Sequence, residues 1–359
     1  MVAYLKKFKQ LVVMLVITST HQDILELVFH NSLLLLTSFP TNIMQGINRS
    51  TVVVIHLLGF QDTHRITFVV FSLFFVVYCV TIFGNLLIIV VVSYSRSLHS
   101  PMYFFLTHLS LSDIILATDI LPNILQALVV KDDVMSFGDC LAQFYFFDVA
   151  ETADCLLLTV MCYDRYLAIC RPLHYTSMVN HQFCLTTVTV TWTLSICVVL
   201  IHTITITTLN FCGPNRIDHF FCDLDPILQL SCSDITVVEL EVTLLSALLV
   251  VIPFFIIIIS YIFIIFTILQ ILSITGRQKA FSTCSSHLLV VSMYYGTLLC
   301  VYLVPDRNNS GTITKYLSLL YTVVTPLMNP IIYSLRNKDL QNVVENIVRD
   351  LCNIQRSHQ

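Results

Sequence analysis

Acidic and basic side chains share one face of the apolar segment between Cys140 and Arg165, where they could bind a polar or charged ligand. At 100° per residue, a helix places Glu151 and Asp154 on the stripe that ends at Arg165. The remaining members of the stripe are Cys140, Phe147 and Leu158, with Asp148 at its edge. A helix rises about 37 Å from Cys140 to Arg165, so Glu151 lies about 16 Å below the outer end. That is the depth of a small-molecule pocket.

The composition indicates that this segment lies in a membrane. Of 359 residues, 56% are hydrophobic and only 11% are charged, whereas ordinary soluble domains have about 25% charged residues. The apolar residues form blocks of roughly 20 residues or more, the length that a helix needs to cross about 30 Å of hydrocarbon. The blocks run approximately over Thr67–Val92, Met102–Val130, Cys140–Tyr163, Cys184–Leu209, Val238–Leu272, Phe281–Val304 and Ile313–Leu335. The sequence therefore predicts an all-α membrane protein, with a seven-transmembrane helix bundle over residues 67–335.

Loop charges predict the orientation of the bundle. The predicted inner segments hold nine Lys and Arg residues, against six on the opposite side when residues 1–43 are left out. Since basic residues are retained in the cytoplasm, this bias predicts that the N-terminus is extracellular. The expected location of this multi-pass protein is the plasma membrane. The net charge of −4 lacks the basic surplus of proteins that bind nucleic acid, so we expect no such partner.

The two ends of the chain are predicted to lie outside the bundle. Residues 1–43 are interpreted as an N-terminal extension upstream of a start at Met44, although a basic and apolar stretch there weakly resembles a signal peptide. Residues 44–66 form the predicted extracellular N-terminus, with a glycosylation sequon at Asn48. Residues 336–359 form a cytoplasmic tail, in which Asn337–Leu351 has the apolar spacing of an amphipathic helix on membrane lipid.

Four cysteines fall on the predicted outer side, an oxidising compartment. They are Cys140, Cys212, Cys222 and Cys232. Four cysteines allow three pairings, between which spacing does not decide. A metal site at His219 and Cys222 is less simple than disulfides and loop packing, because no second ligand pair at zinc-like spacing accompanies it.

Polar side chains deep in the predicted spans form a second candidate site. Asp113 in the second span, Asp154 in the third, and the amides Asn85 and Asn329 could meet in the bundle. Because ionisable residues are costly in a membrane, such a group is expected to be functional. Two interpretations stay open, an allosteric sodium ion held by Asp113 and Asp154 or a hydrogen-bonded packing network without an ion.

Many short motifs, in order along the chain, resemble one family. They are Leu57-Leu58-Gly59-Phe60, Gly84-Asn85, Pro101-Met102-Tyr103-Phe104-Phe105-Leu106, Leu109-Ser110-Leu111-Ser112-Asp113, Met161-Cys162-Tyr163-Asp164-Arg165-Tyr166-Leu167-Ala168-Ile169-Cys170, Arg171-Pro172-Leu173-His174-Tyr175, Ser260-Tyr261, Lys279-Ala280-Phe281-Ser282-Thr283-Cys284-Ser285-Ser286-His287-Leu288, Tyr295-Gly296 and Pro326-Leu327-Met328-Asn329-Pro330-Ile331-Ile332-Tyr333. The chain resembles the rhodopsin-family seven-helix receptors, and among them the olfactory receptors, from about Asn48 to Asn353.

The resemblance implies roles that composition could not. It implies disulfides between Cys140 and Cys222 and between Cys212 and Cys232. It also implies a stimulatory olfactory G protein as partner, with cyclic AMP as the output and no enzymatic activity. Arg165 becomes the switch residue at the G-protein face, restrained by Asp164 in the inactive state. The other implied switch residues are Tyr166, Tyr261, Asn329, Pro330 and Tyr333, of which Pro330 interrupts the seventh helix as a hinge.

The ligand is expected to be a small, mostly apolar volatile odorant. Helix face, depth and the resemblance together predict pocket residues Phe147, Asp148, Glu151, Thr152, Cys155, Ser246, Leu298, Tyr302 and Tyr321. Two interpretations of Glu151 stay open. Either it is protonated or hydrogen-bonded to Thr152, Tyr295 or water, or it is an ionised carboxylate that attracts an ammonium group.

Other functional classes fit the sequence less well. A secondary transporter should show repeated halves with paired broken helices, and no internal repeat is visible. An intramembrane enzyme would need a catalytic motif, and neither GxSxG nor HExxH occurs. A rhodopsin-like receptor outside olfaction remains the main alternative.

Overall fold

The computed structural model describes residues 54–60, 66–130, 133–213, 215–303 and 310–357. The predicted extension over residues 1–43 and the sequon at Asn48 lie outside these residues. The side chain of Tyr302 is also outside the described part of the chain.

Within the described residues, seven long helices form a bundle, and an eighth helix follows it. The helices are α1 (Thr67–Tyr94), α2 (Pro101–Val129), α3 (Phe137–Cys170), α4 (His181–Thr207), α5 (Thr236–Gln270), α6 (Ile274–Leu303), α7 (Ser310–Leu319, Leu320–Val324 and Thr325–Arg336) and α8 (Lys338–Ser357). Each of the seven predicted apolar blocks overlaps one of α1 to α7 over most of its length, and the predicted amphipathic helix overlaps α8. The predicted seven-helix fold is confirmed.

Judged by length and composition, six helices in the described part of the chain could cross a membrane. Helix α3 is not among these six. The reason is its charge, because Asp148, Glu151, Asp154, Asp164 and Arg165 all lie within it. Helix α3 packs against α2, α4 and α5, so its neighbours cover much of its surface. Of the carboxylates in its middle, Asp154 is almost fully buried.

Burial separates the central helices from those at the edge of the bundle. The most apolar stretch of α2 is 83% buried, whereas that of α5 is 28% buried. Helix α5 nevertheless has the higher hydropathy, and large side chains such as Phe263 and Phe266 are exposed on it. A helix that is apolar on every face and exposed in the isolated chain is suited to contact lipid.

Short polar residues begin two of the central helices. The Ser136 hydroxyl accepts a hydrogen bond from the Asp139 amide at 3.0 Å at the start of α3. The Asn180 side chain accepts from the Phe183 amide at 2.8 Å at the start of α4. Each cap satisfies a main-chain donor that the first turn of a helix leaves unpaired.

Helices α5 and α7 each contain one π-helical turn, over Ala247–Val251 and Leu320–Val324. Such turns are rare in proteins as a whole, but those that occur are often found at functional sites. A π-helical turn changes which side chains of the helix face inward. The sequence predicts regular helices in both spans and gives no sign of the two π-helical turns.

A small sheet covers one end of the bundle. Strand β1 (Val54–Leu57) pairs antiparallel with β2 (Asp133–Ser136) and parallel with β3 (Arg216–Ile217). Ile55 and Leu57 of β1 pack in a second hydrophobic cluster with Phe137 and Phe144 of α3. No strand was predicted from the sequence. The strands place the N-terminal segment directly above α3.

Candidate functional site

Aromatic side chains surround the predicted pocket face of α3. Phe147 is buried, with its ring centroid 5.2 Å from that of Phe221 and 6.2 Å from that of Tyr321. Phe221 belongs to the loop between α4 and α5 (residues 208–235), and Tyr321 lies in the π-helical turn of α7. Three segments distant in sequence therefore meet at Phe147.

Cys155 joins α3 to two further helices. Its thiol donates a hydrogen bond to the Leu249 carbonyl at 3.1 Å, inside the π-helical turn of α5. Its sulfur also lies 3.1 Å from the hydroxyl of Tyr295 in α6. A ligand that moves α5 or α6 would therefore act on Cys155 directly.

Glu151 has an unusual environment. Both of its carboxylate oxygens are buried, and neither has a hydrogen-bond partner among the described residues. The bonds to Thr152 and Tyr295, which belong to the first interpretation above, are therefore not formed in this structure, and protonation of Glu151 stays open. The nearby Tyr294 hydroxyl donates to the main-chain carbonyl of Glu151 at 3.1 Å.

Asp148 lies one helical turn further out and has a different partner. Its Oδ2 is 3.4 Å from Nδ1 of His202 in α4, and its side chain is 25% exposed. The Nε2 atom of His202 is buried without a partner in the described residues. His202 was not predicted as a site residue, because a single His in an apolar helix forms no distinctive sequence pattern.

The loop between α4 and α5 roofs this end of the bundle and is fixed by two disulfides. One joins Cys140 to Cys222 and the other Cys212 to Cys232, the pairing that the resemblance implies. The Cys222 amide also donates to Oε1 of Gln143 at 2.9 Å, so the loop is bound to α3 by both a disulfide and a hydrogen bond.

A charged cluster ties the same loop to α7 and to the N-terminal segment. The ammonium group of buried Lys315 donates to the Gly59 carbonyl and to the Asp218 carboxylate. Its nitrogen also lies 4.8 Å from the ring centroid of Phe220. Next to Phe220, the imidazole of His219 is buried, and this burial lowers its pKa below the usual value.

The deep polar site brings together two of its predicted members directly. The Asn329 amide donates to both carboxylate oxygens of Asp113 at 3.0 Å. Asp154 is buried close to Asp113, and its Oδ1 has no partner in the part of the chain that the structure describes. Asn85 donates instead to the main-chain carbonyls of Thr81 and Pro326. An orphaned carboxylate oxygen beside a second carboxylate fits a small cation such as sodium.

The inner end of α3 carries a buried ion pair. The Arg165 guanidinium donates two hydrogen bonds to Oδ2 of Asp164, and the Asp164 side chain is 1% exposed. The other oxygen of Asp164 accepts from the Tyr175 hydroxyl at 2.7 Å. Tyr175 lies in the short helix Pro172–Met178 that follows α3. Burial, and then the Asp164 charge, raise the pKa of the Tyr175 hydroxyl.

The two predicted switch tyrosines on α5 and α7 are near this end but do not contact Arg165 through a hydrogen bond. The Tyr261 hydroxyl lies 2.6 Å from Nδ1 of His287 in α6, and the two rings are stacked. The Tyr333 hydroxyl is buried without a partner among the described residues. His287 was not predicted, although it lies within one of the quoted motifs.

The remaining predicted residues occupy less central positions. Ser246 in α5 and Leu298 in α6 are half-buried, as is Thr152 in α3. The ring of Tyr166 packs edge-on against Phe263 of α5, 6.3 Å between centroids. Pro330 lies inside α7 and faces Gly84 of α1, where an added Cβ would come within 3.0 Å of the Pro330 Cβ. Gly84 therefore permits the close approach of α1 to the proline.

Comparisons with known proteins place this arrangement in a family. Residues 74–351 match the model of the olfactory receptor family. The human protein named Olfactory receptor 11L1 is 44% identical over 87% of this chain and 97% of its own length. The mouse protein named Olfactory receptor 1M1 is 44% identical over 81% of this chain and 93% of its own.

The fold has a counterpart among solved structures. The crystal structure of squid rhodopsin superimposes with a TM-score of 0.65 at 14% identity, covering 81% of this chain and 88% of that one. At this identity the likeness concerns the fold alone, that of a G-protein-coupled receptor. With the family match over most of its length, this chain belongs to the olfactory receptors, which are multi-pass membrane proteins that sense odorants.

Proposed function

We propose that this receptor binds a small, mostly apolar volatile ligand between α3, α5, α6 and α7, and that binding activates the stimulatory olfactory G protein to raise cyclic AMP. The observation that carries the proposal is the continuity of α3. One helix bears Phe147 and Cys155 in the outer half and the Asp164–Arg165 pair at the inner end. A ligand in the outer half can therefore act on the inner end through one rigid element.

The contacts of Cys155 support a route from ligand to helix movement. Its sulfur contacts the Leu249 carbonyl in α5 and the Tyr295 hydroxyl in α6. A ligand that displaced either partner would change how α5 and α6 pack on α3. The π-helical turn at Ala247–Val251 supplies a place where α5 can rearrange without breaking the whole helix.

At the inner end, activation requires the Arg165 side chain to leave Asp164. Tyr261 and Tyr333 would then turn toward the freed guanidinium, with Tyr261 giving up its contact with His287. Pro330 lacks the amide that would close a turn of α7, so the helix can bend there. The exposed guanidinium and the opened cleft would receive the G protein.

A sodium ion held by Asp113 and Asp154 would stabilise the inactive arrangement. The bound cation would offset one of the two negative charges on these neighbouring carboxylates, and it would pair with the Asp154 oxygen that has no partner in the described residues. Asn329 of α7 donates two hydrogen bonds to Asp113 of α2. Ligand-driven movement of α7 would break these bonds and so disturb the ion site.

We also propose that the receptor lies in the plasma membrane with its N-terminus outside and Asn48 glycosylated. Both disulfides and the three-stranded sheet lie at one end of the bundle. Disulfides persist in oxidising compartments, which supports an extracellular position for that end. The Arg165 end then faces the cytoplasm, where the G protein is.

The test is a cellular assay with the full chain. Cells that express the receptor together with the stimulatory olfactory G protein would be exposed to a panel of volatile alcohols, ketones, esters and amines. We expect at least one compound to raise cyclic AMP in a concentration-dependent way, with no response in cells that lack the receptor. Ligand-dependent signalling through another G protein alone would overturn the proposed coupling, and substrate flux without signalling would indicate a transporter.

A further inference from the structure

The unpaired carboxylate of Glu151 indicates a ligand class. Both oxygens are buried without a hydrogen-bond partner in the described residues. Two tyrosine hydroxyls of α6 have other partners, although that of Tyr294 also lies close to the Glu151 carboxyl group. Tyr294 donates to the main-chain carbonyl of Glu151, and Tyr295 pairs with the sulfur of Cys155. A buried carboxyl group in this position is unfavourable unless it is neutral or a cation compensates it.

The charged groups around Glu151 have the same sign. The carboxylates of Asp154, Asp148 and Asp223 are close enough to repel a negative charge on Glu151. Like charges in a water-poor site raise the cost of ionisation, and a bound cation removes that cost. The buried basic side chain of α7, Lys315, is already bound to Asp218 and to the Gly59 carbonyl.

Asp223 and Asp148 already have partners among the described residues, which leaves Glu151 as the anchor. One oxygen of Asp223 accepts from the Leu224 amide at 2.7 Å, and the other accepts from the Tyr321 hydroxyl at 3.2 Å. Asp148 lies beside His202 and about 4.5 Å further out along α3 than Glu151. A cation entering from the outer end would pass Asp148 before reaching Glu151.

Aromatic rings meet at Phe147, one helical turn outward from Glu151 on α3, and favour an organic cation over an inorganic one. Phe147, Phe221 and Tyr321 form a contiguous set, with centroids 5.2 and 6.2 Å apart. Ring faces attract ammonium groups and also pack against hydrocarbon, whereas a metal ion needs several oxygen ligands. The site thus combines one strong anion with apolar walls.

We propose that this receptor recognises a small organic ammonium ion, a protonated volatile amine, whose charge pairs with the carboxylate of Glu151. Asp148 attracts the cation from the outer side, and the aromatic rings contact its hydrocarbon part. This inference rests on the proposed receptor function and specifies the ligand class of the same pocket.

The experiment compares matched ligands in matched variants. Cells expressing the full chain with the stimulatory olfactory G protein would receive primary alkyl amines of four to eight carbons and the alcohols with the same carbon skeletons. The variants are Glu151→Gln in the pocket and Glu239→Gln on the exposed outer part of α5. Surface expression and cyclic AMP would be measured for each.

We expect the wild type to respond to an amine at lower concentration than to its alcohol. Glu151→Gln should raise the half-maximal amine concentration more than tenfold, about 1.4 kcal/mol, while changing that of a neutral agonist by less than threefold. Glu239→Gln should change neither. If Glu151→Gln does not reach the surface, Asp148→Asn should still weaken amines selectively, by a smaller factor.

Three results would overturn the inference. One is a wild type that responds to neutral odorants and to no amine, which leaves the receptor function intact. Another is an equal loss for amines and neutral agonists in Glu151→Gln, which would make Glu151 a structural residue. The third is an amine response that Glu151→Gln and Asp148→Asn both leave unchanged. Failure of the receptor function itself is distinct, since then no volatile compound of either class would raise cyclic AMP.

Discussion

The hydroxyl of Tyr175 donates a 2.7 Å hydrogen bond to Oδ1 of Asp164, while the guanidinium of Arg165 binds Oδ2 of the same carboxylate. Asp164 is thus held from both sides, by its own helix and by the short helix Pro172–Met178 that follows. Because the carboxylate is buried, each donor contributes more than a surface contact would.

Removing the hydroxyl should weaken this restraint. We expect Tyr175→Phe to raise cyclic AMP in the absence of ligand severalfold, since a hydrogen bond to a charged group contributes about 1 to 3 kcal/mol in favour of the inactive state. The measurement is basal cyclic AMP normalised to surface expression. Tyr94→Phe, at an exposed position at the end of α1, is the control and should leave basal signalling unchanged. Unaltered basal signalling in Tyr175→Phe would show that this hydrogen bond does not restrain the switch.

Truncating the arginine should have the opposite result. We expect Arg165→Ala to abolish ligand-stimulated cyclic AMP and to leave most of the surface expression intact, because the side chain lies at the inner end of α3 and Tyr175 still donates a hydrogen bond to the buried Asp164 carboxylate. Arg96→Ala, which removes an exposed arginine from the loop after α1, serves as the control with near-normal signalling. An undiminished response in Arg165→Ala would contradict the switch assignment.

Disulfide removal should affect maturation before it affects signalling. We expect the Cys222→Ser receptor to be retained inside the cell, because each disulfide contributes about 2 to 4 kcal/mol and this one fixes the loop between α4 and α5 to α3. Cys197→Ser, at an exposed free cysteine in α4, should mature normally. Surface labelling measures the difference. Peptide mapping that found Cys140 joined to Cys212 would contradict the pairing.

The roof should also be sensitive to acid. Burial lowers the pKa of His219 below 6.5 in the folded protein, so the unfolded chain binds more protons as the pH falls through this range. Stability contributed by neutral His219 is therefore complete above pH 6.5 and decreases as the pH falls toward the folded-state pKa. The groups that face it are Asp223 and Asp218, which favour protonation, Lys315, which opposes it, and the Phe221 carbonyl.

Thermal melting of the purified receptor at pH 7.5 and pH 5.5 measures this dependence. We expect the wild type to melt at lower temperature in acid, and His219→Gln to show a smaller difference between the two conditions. His99→Gln, at an exposed site, should keep the wild-type difference. A wild-type melting temperature that is the same at pH 7.5 and pH 5.5 would contradict the prediction that burial of His219 makes stability depend on pH.

The helices were predictable from sequence because their signal is long and local. Blocks of roughly 20 apolar residues can satisfy their backbone in lipid only as helices, so α1 and α5 follow from composition. The predicted start of the first block, Thr67, is also the first residue of α1. Predicted ends elsewhere differ by a few residues, since helices such as α3 continue beyond the hydrocarbon, here to Cys170.

The sheet and the charged cluster could not be predicted, because both depend on contacts between distant segments. Val54–Leu57 is a strand of four residues whose partners lie near residues 135 and 216. Lys315 carries the sequence signal of an exposed side chain, yet it is 4% exposed because Gly59 and Asp218 come from two other segments. The polar face of α3 was predictable because its stripe is periodic, whereas His202 on α4 has no such pattern.

The acidic residues of α3 also affect how many membrane crossings are counted for this chain. A count by hydropathy and charge finds six crossings in the described residues, and an even number of crossings returns both termini to the same face of the membrane. With α3 included there are seven, so an antibody tag at one terminus would be reached from outside an intact cell and a tag at the other would not. Helix α3 crosses the membrane largely surrounded by the other helices, which serve as its solvent in place of lipid.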